Sequence, residues 1–168
     1  MKVTVHGLDH CLKRLARMQK TIPDKTHELI EKLGALGITE AQMRFNLAPY
    51  DGDRDAEVGS LVWVNENTAQ IIASGSTVLF IEFGAGIYYG EEAGAYAQNH
   101  GYGPGTYGPH GWDDYWFYRG DPGNAGGEYA KGKDSVVITH GNPAARPMYY
   151  AAEEMRKRIS EIAREVFG

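Results

Sequence analysis

Helical spacing at both ends of a 168-residue chain, strand-like segments between them, and a glycine- and tyrosine-rich stretch before the last helix predict an α+β fold. The length fits one domain, residues 1–168, with an extended loop or arm over residues 84–133.

The elements follow in order. Lys2 to His6 (KVTVH) alternates β-branched and polar residues and reads as a short strand. Asp9 caps a helix whose apolar stripe is Leu12, Leu15 and Met18, and Thr21-Ile22-Pro23 breaks it. Pro23 then starts a second helix, carried by Leu29, Leu33 and Leu36 as far as Phe45. Gly34 and Gly37 weaken that helix by about 1 kcal/mol each relative to alanine, unless they serve close packing. Asn46 to Asp55 (NLAPYDGDRD) is a loop. Ser60–Asn65 and Thr68–Ser74 flank Glu66-Asn67 as the strands of a hairpin. VLFIEFGAG, from Val78, is either a buried strand or a short buried helix, which periodicity does not decide.

Gly84 to Gly132 holds 14 of the 22 glycines and eight of the eleven tyrosines, a composition unlike a simple glycine-serine linker. Across it, Trp116–Arg119 and Ser135–Thr139 pair as strands. Pro147 opens the final helix. Met148, Ala152, Met155, Ile159, Ile162 and Val166 form its apolar face, and Glu153, Glu154, Arg156, Lys157 and Glu161 cover the other.

Composition narrows the function classes. The longest apolar run, Val78–Ile81, is far below the roughly 20 residues of a membrane span, and MKVTVHGLDH contains no apolar signal-like core. A formal net charge of −5 disfavours non-specific nucleic-acid binding, and no specific nucleic-acid partner is expected. The one cysteine, Cys11, excludes a disulfide framework and reads as a small buried hydrophobe.

Few residues suggest chemistry. GPGTYG (Gly103–Gly108) matches G-x-G-x-x-G, but its flanks are neither strand nor helix, so it reads as a repeated turn. His100, His110 and His140 lack ligand spacing; with Asp113 they define the only metal-dependent hydrolase the chain offers, and no metal or cofactor is expected. Tyr107, Trp112 and Trp116 supply stacking faces for a carbohydrate-binding alternative, or anchors for a protein partner. Glu82 is a carboxylate inside an apolar run, which requires a partner. Arg146, set before Pro147, suits either a carboxylate of a neighbouring subunit or local carbonyls.

Two motifs in a fixed order carry a family resemblance. Ile81-Glu82-Phe83-Gly84, within VLFIEFGAG, is an apolar-Glu-aromatic-Gly segment; after a long loop, GNPAARPMYYAAEEMRKRI is a Pro-Ala-x-Pro-type turn (Pro143, Ala144, Arg146, Pro147) running into an amphipathic helix. With the helical N-terminal half, this resembles the minor tail-component family of long-tailed, lambda-like bacteriophages and prophages, whose members complete tails or join them to heads. The Gly/Tyr/Trp insertion is similar to insertions in prophage versions from gut Gram-positive bacteria. The resemblance implies an antiparallel β-sheet packed against long N-terminal and C-terminal helices. It also implies a non-enzymatic structural role in a homo-oligomeric ring with tail or head–tail connector proteins, in the virion neck or tail after assembly in the host cytoplasm. The residues assigned to an assembly interface are Glu82, Tyr107, Trp112, Trp116, Arg146 and Pro147.

Overall fold

A computed structural model describes residues 8–86 and 115–168. The chain is an α+β fold: among the described residues, two long helices pack together with three small antiparallel sheets. The predicted strand at Lys2–His6 lies outside the described residues.

The first helix, α1, runs unbroken over Leu8–Leu47 with Pro23 inside it, so the expected break at Thr21-Ile22-Pro23 is not there. Proline removes one backbone donor and its ring crowds the preceding turn, at about 3 kcal/mol in a helix interior. The helix continues because its downstream half is held by tertiary packing, which outweighs local propensity. Its inner face is Ala41 and Phe45, both at most 1% exposed, with Gly34 and Gly37. The two glycines serve close packing: a Cβ on Gly34 would stand 2.6 Å from Leu61, and one on Gly37 2.6 Å from Met155 and 2.7 Å from Ile71. Cys11, expected inside, is exposed, as are Leu12, Leu15 and Met18.

A ribbon of two strands folds against this helix. β1 (Glu57–Val58) pairs with β4 (Ala73–Ser74), and β2 (Val62–Asn65) pairs with β3 (Thr68–Gln70) across the Glu66-Asn67 turn. Gly59 N donates to Ile72 O at 2.9 Å and joins the two halves. The anticipated hairpin is therefore present, interrupted in its middle.

VLFIEF resolves as a helix, α2 (Val78–Phe83), because its entry is turned by a side chain. Asp55 accepts hydrogen bonds from Ser76 N (2.6 Å), Thr77 N (2.9 Å) and Thr77 Oγ1 (2.6 Å), and Ile81 N donates to Thr77 O. Those bonds hold the Asp55 carboxyl well below the usual carboxylate range.

A three-stranded sheet has the order β5 (Trp116–Arg119), β7 (Val136–Thr139), β6 (Glu128–Tyr129). The pairing of β5 with β7 is the one the sequence predicts, in the register Trp116↔Thr139 to Arg119↔Val136. β6, two residues inside the glycine-rich stretch, carries no pattern that a sequence reading can use. From Tyr115 onward the predicted arm is bound to the body: Asn124 N donates to Tyr50 O, and Asn124 Oδ1 accepts from Tyr50 N and Arg54 Nη2.

The last helix, α3 (Pro147–Phe167), lies antiparallel on α1. Arg44 stacks over Tyr150, Lys32 pairs with Glu165, and Lys25 Nζ donates to Val166 O at 2.6 Å, so the helices are matched along α1 from Arg44 back to Lys25. Its buried residues are Pro147, Ala151, Ile162 and Val166, with Met148, Ala152 and Met155 half-buried. Ile159, assigned to the apolar face, is 47% exposed, and Ala151 is the fully buried residue instead. At 3.6 residues per turn a 4-3-4-3 stripe drifts round the helix, and packing uses only part of it. The shared core is Phe45, Ala41, Ala48, Val58, Val78, Ile81 and Ala151.

Candidate functional site

The two motifs separated by the long loop meet. Ala145 N donates to Ile81 O at 2.9 Å, Ala85 N donates to Asn142 O at 2.9 Å, and Asn142 Nδ2 donates to Phe80 O at 2.9 Å. The exit of α2 and the entry to α3 are thus laid side by side as one clasp. Two glycines permit the approach. Gly84 has φ 78°, and a Cβ there would stand 2.8 Å from Ala144 N; Gly141 has φ 102°, and a Cβ would stand 2.1 Å from Ala85 O.

Glu82 completes the clasp. It is 4% exposed, and its two carboxylate oxygens accept hydrogen bonds from Met148 N (2.9 Å) and Tyr149 N (3.2 Å). These are first-turn donors of α3, which have no partner within the helix. Arg146, in the N-cap position, has no side-chain cap bond, and Pro147 at the first helical position has no donor to satisfy. A carboxylate 66 residues away in the chain does what a serine or aspartate N-cap usually does. Arg146 itself is left-handed (φ 51°, ψ 48°), a conformation costing a non-glycine residue about 1–2 kcal/mol.

Beside the clasp lies a cleft of about 330 Å³, bordered by Tyr50, Asp51, Phe80, Tyr118, Thr139 and Asn142. Asp51 accepts from Ala125 N (2.8 Å) and Thr139 Oγ1 (2.9 Å), and so ties the Asn46–Asp55 loop to β7 and to the segment after β5. Tyr118 OH donates to Asp121 O at 2.8 Å. Burial, then the charge of Asp51 and the neighbouring Tyr50, Asp121 and Asp53, push its phenol up to about 12. Burial and the charges of Asp55 and Asp51 also raise Tyr50. Both rings therefore keep neutral hydroxyls and, with Phe80, give the cleft an aromatic lining suited to holding a ligand or peptide group by hydrogen bonds and stacking. Because the folded phenol of Tyr118 titrates above the unfolded value near 10, stability is retained below that pH and lost as pH rises from about 10 toward about 12. Alkaline denaturation followed by circular dichroism should show this loss, and Tyr118→Phe should flatten it.

The predicted interface residues separate into three groups. Glu82, Arg146 and Pro147 are brought together in the clasp, with Glu82 and Pro147 buried and Arg146 half-buried. Trp116 is placed in β5, opposite Thr139. Tyr107 and Trp112 lie outside the described residues, as do His100, His110 and Asp113. His140 is exposed and edge-on to Tyr115. Among the described residues no three His, Cys, Asp or Glu side chains cluster as metal ligands. No helix among them is long and apolar enough to cross a membrane.

Sequence reasoning passed over Asp51, Asp55, Asn124 and Asn142. The clustering of Asp and Gly in NLAPYDGDRD marks a loop, and the partners that make its carboxylates structural come from far along the chain. Asn142 sits inside the GNPAARP motif, where only the buried amide contact to Phe80 O distinguishes it from a turn residue.

Compared with protein-family models, with curated proteins and with solved structures, the chain matches none.

Proposed function

We propose that the chain is a structural virion protein of a phage or prophage that completes the tail or joins it to the head, assembling as a ring with tail or head–tail connector proteins in the neck or upper tail. The observation that carries this reading is the clasp. The two sequence motifs of the tail-component resemblance, Ile81–Gly84 and Gly141–Pro147, form one hydrogen-bonded unit, with Glu82 of the first capping the helix that the second begins. A family motif pair maintained across a loop of variable length makes physical sense when both halves build one structural joint. The chain between the motifs starts from Gly84 and returns at Gly141, so length changes between them need not disturb the joint.

Purified protein mixed with phage tail-tube and connector proteins should form rings or capped tubes in negative-stain electron microscopy. Protein that stays monomeric and ignores both partners rejects the reading. Arg146→Ala keeps the left-handed cost but removes the guanidinium, so the variant should fold with an unchanged circular dichroism spectrum and assemble more weakly. Unchanged assembly removes Arg146 from the interface.

A further inference from the structure

We propose that the N-terminal third of α1 is an assembly arm that docks on the acidic cleft of a second copy of this chain. The inference rests on the proposed self-assembly and names the two surfaces that make it.

The helix phase supplies the first observation. At 100° per residue, Leu12, Leu15 and Ile22 fall within about 60° of the line through Ile30, Leu33, Gly37 and Ala41, the line that faces the core. The core-facing stripe therefore continues up the helix. Among the described residues its cover does not: α3 ends at Phe167, level with Lys25, whose ammonium group lies 5.7 Å from the Phe167 ring centre. Beyond that level α1 runs on for about 15 residues, roughly 22 Å. Over this span Leu12, Leu15, Met18 and Ile22 are 54%, 56%, 54% and 50% exposed. A row of three large apolar side chains on one projecting helix, with Met18 on its flank, is what helix-in-groove recognition uses.

Charge identifies the occupant. The arm carries Lys13, Arg14, Arg17 and Lys20 against Asp9 and Asp24, a net of +2. At the far end of the same helix, Ala48–Val58 carries Asp51, Asp53, Asp55 and Glu57 against Arg54, a net of −3. From Leu15 to Leu47 the rise is about 48 Å, so arm and acidic end cannot meet within one chain. Pairing two arms side by side places +2 against +2, whereas docking the arm of one copy on the acidic end of the next joins opposite charges. That end also offers an apolar seat, the cleft between Tyr50, Phe80 and Tyr118, with Arg119 as the one cation on its border among the described residues. The contact is heterologous: each copy donates an arm and receives one, which generates a closed ring or a filament according to the rotation per copy.

Full-length protein is followed by sedimentation velocity across a concentration and salt series. Three chains are compared: the wild type, an arm variant (Leu15→Glu with Met18→Glu) and an acidic-end variant (Asp53→Arg with Glu57→Arg). All four positions are exposed, and circular dichroism verifies the folds. The wild type should self-associate, less so at high salt, and each variant should associate at least tenfold more weakly. A mixture of the two variants should give a one-to-one dimer and nothing larger, since only one intact arm and one intact cleft remain per pair. A wild type that is monomeric throughout overturns the inference, as does an arm variant that assembles like the wild type. Loss of assembly in the arm variant with no dimer in the mixture also overturns it, pointing to arm–arm pairing. If the wild type stays monomeric while its arm is needed to bind lipid vesicles or RNA, the occupant is not a second copy. An arm variant that assembles normally and still binds tail proteins sinks the arm alone; a wild type that neither self-associates nor binds them sinks the functional reading too.

Discussion

Glu82→Ala should lower the unfolding free energy by about 3 kcal/mol, the sum of two part-buried donors left without an acceptor and a lost anion at a helix N-terminus. For a chain of this size that is a fall in melting temperature of roughly 6–12 °C. The reasoning is local: Met148 N and Tyr149 N have no intrahelical acceptor, Arg146 provides no side-chain cap, and the Glu82 oxygens lie 2.9 and 3.2 Å away. Glu82→Gln keeps the shape and one acceptor oxygen but turns an amide donor toward a donor, so its cost should lie between wild type and alanine. Urea denaturation of the three proteins orders them. An alanine variant within about 0.5 kcal/mol of wild type means that water caps α3 equally well and that Glu82 only fills space.

Gly141→Ala should be at least as damaging, at about 4 kcal/mol, and should reduce soluble expression. Two costs coincide there. The backbone is at φ 102°, and the new methyl would stand 2.1 Å from Ala85 O and 2.9 Å from Gly86 Cα, both main-chain atoms that cannot swing aside. Relief requires parting the strand exit from α2, which breaks the Ala85 N to Asn142 O bond and strains the Ala145 N to Ile81 O bond. Gly126 separates the two costs: its φ is 113°, yet nothing lies within 4 Å of a Cβ placed there. Gly126→Ala should therefore show the conformational cost alone, about 1 kcal/mol. If both alanine variants lose the same stability, the clasp is not closely packed.

Much of the secondary structure was legible because its signals are local. The final helix announces itself by Pro147 and an amphipathic repeat, and the β2–β3 hairpin by Glu66-Asn67 between strand-like runs. The pairing of Trp116–Arg119 with Ser135–Thr139 is also non-local, yet both runs are rich in aromatic or β-branched residues and flanked by turn formers. The break at Pro23 was misread because a proline penalty of a few kcal/mol is a local quantity, whereas the helix is held by Phe45, Ala41 and the α3 face along its downstream half. Cys11 was assigned to an interior for a similar reason: the Leu12-Leu15-Met18 stripe beside it shows that a face is apolar and not what covers it.

The sequence by itself determined the α+β class, the final helix, the β2–β3 hairpin and the two motifs, since these depend on periodicity, turn chemistry and proline placement within a few residues. Only the tertiary structure decided that VLFIEF is a helix, that Glu82 is the cap of α3, and that Asp51 and Asp55 are structural ties rather than free carboxylates. Each of those outcomes depends on a hydrogen bond between groups 21 to 88 residues apart, and the free energy of such a bond is set by burial and distance, which no local pattern encodes.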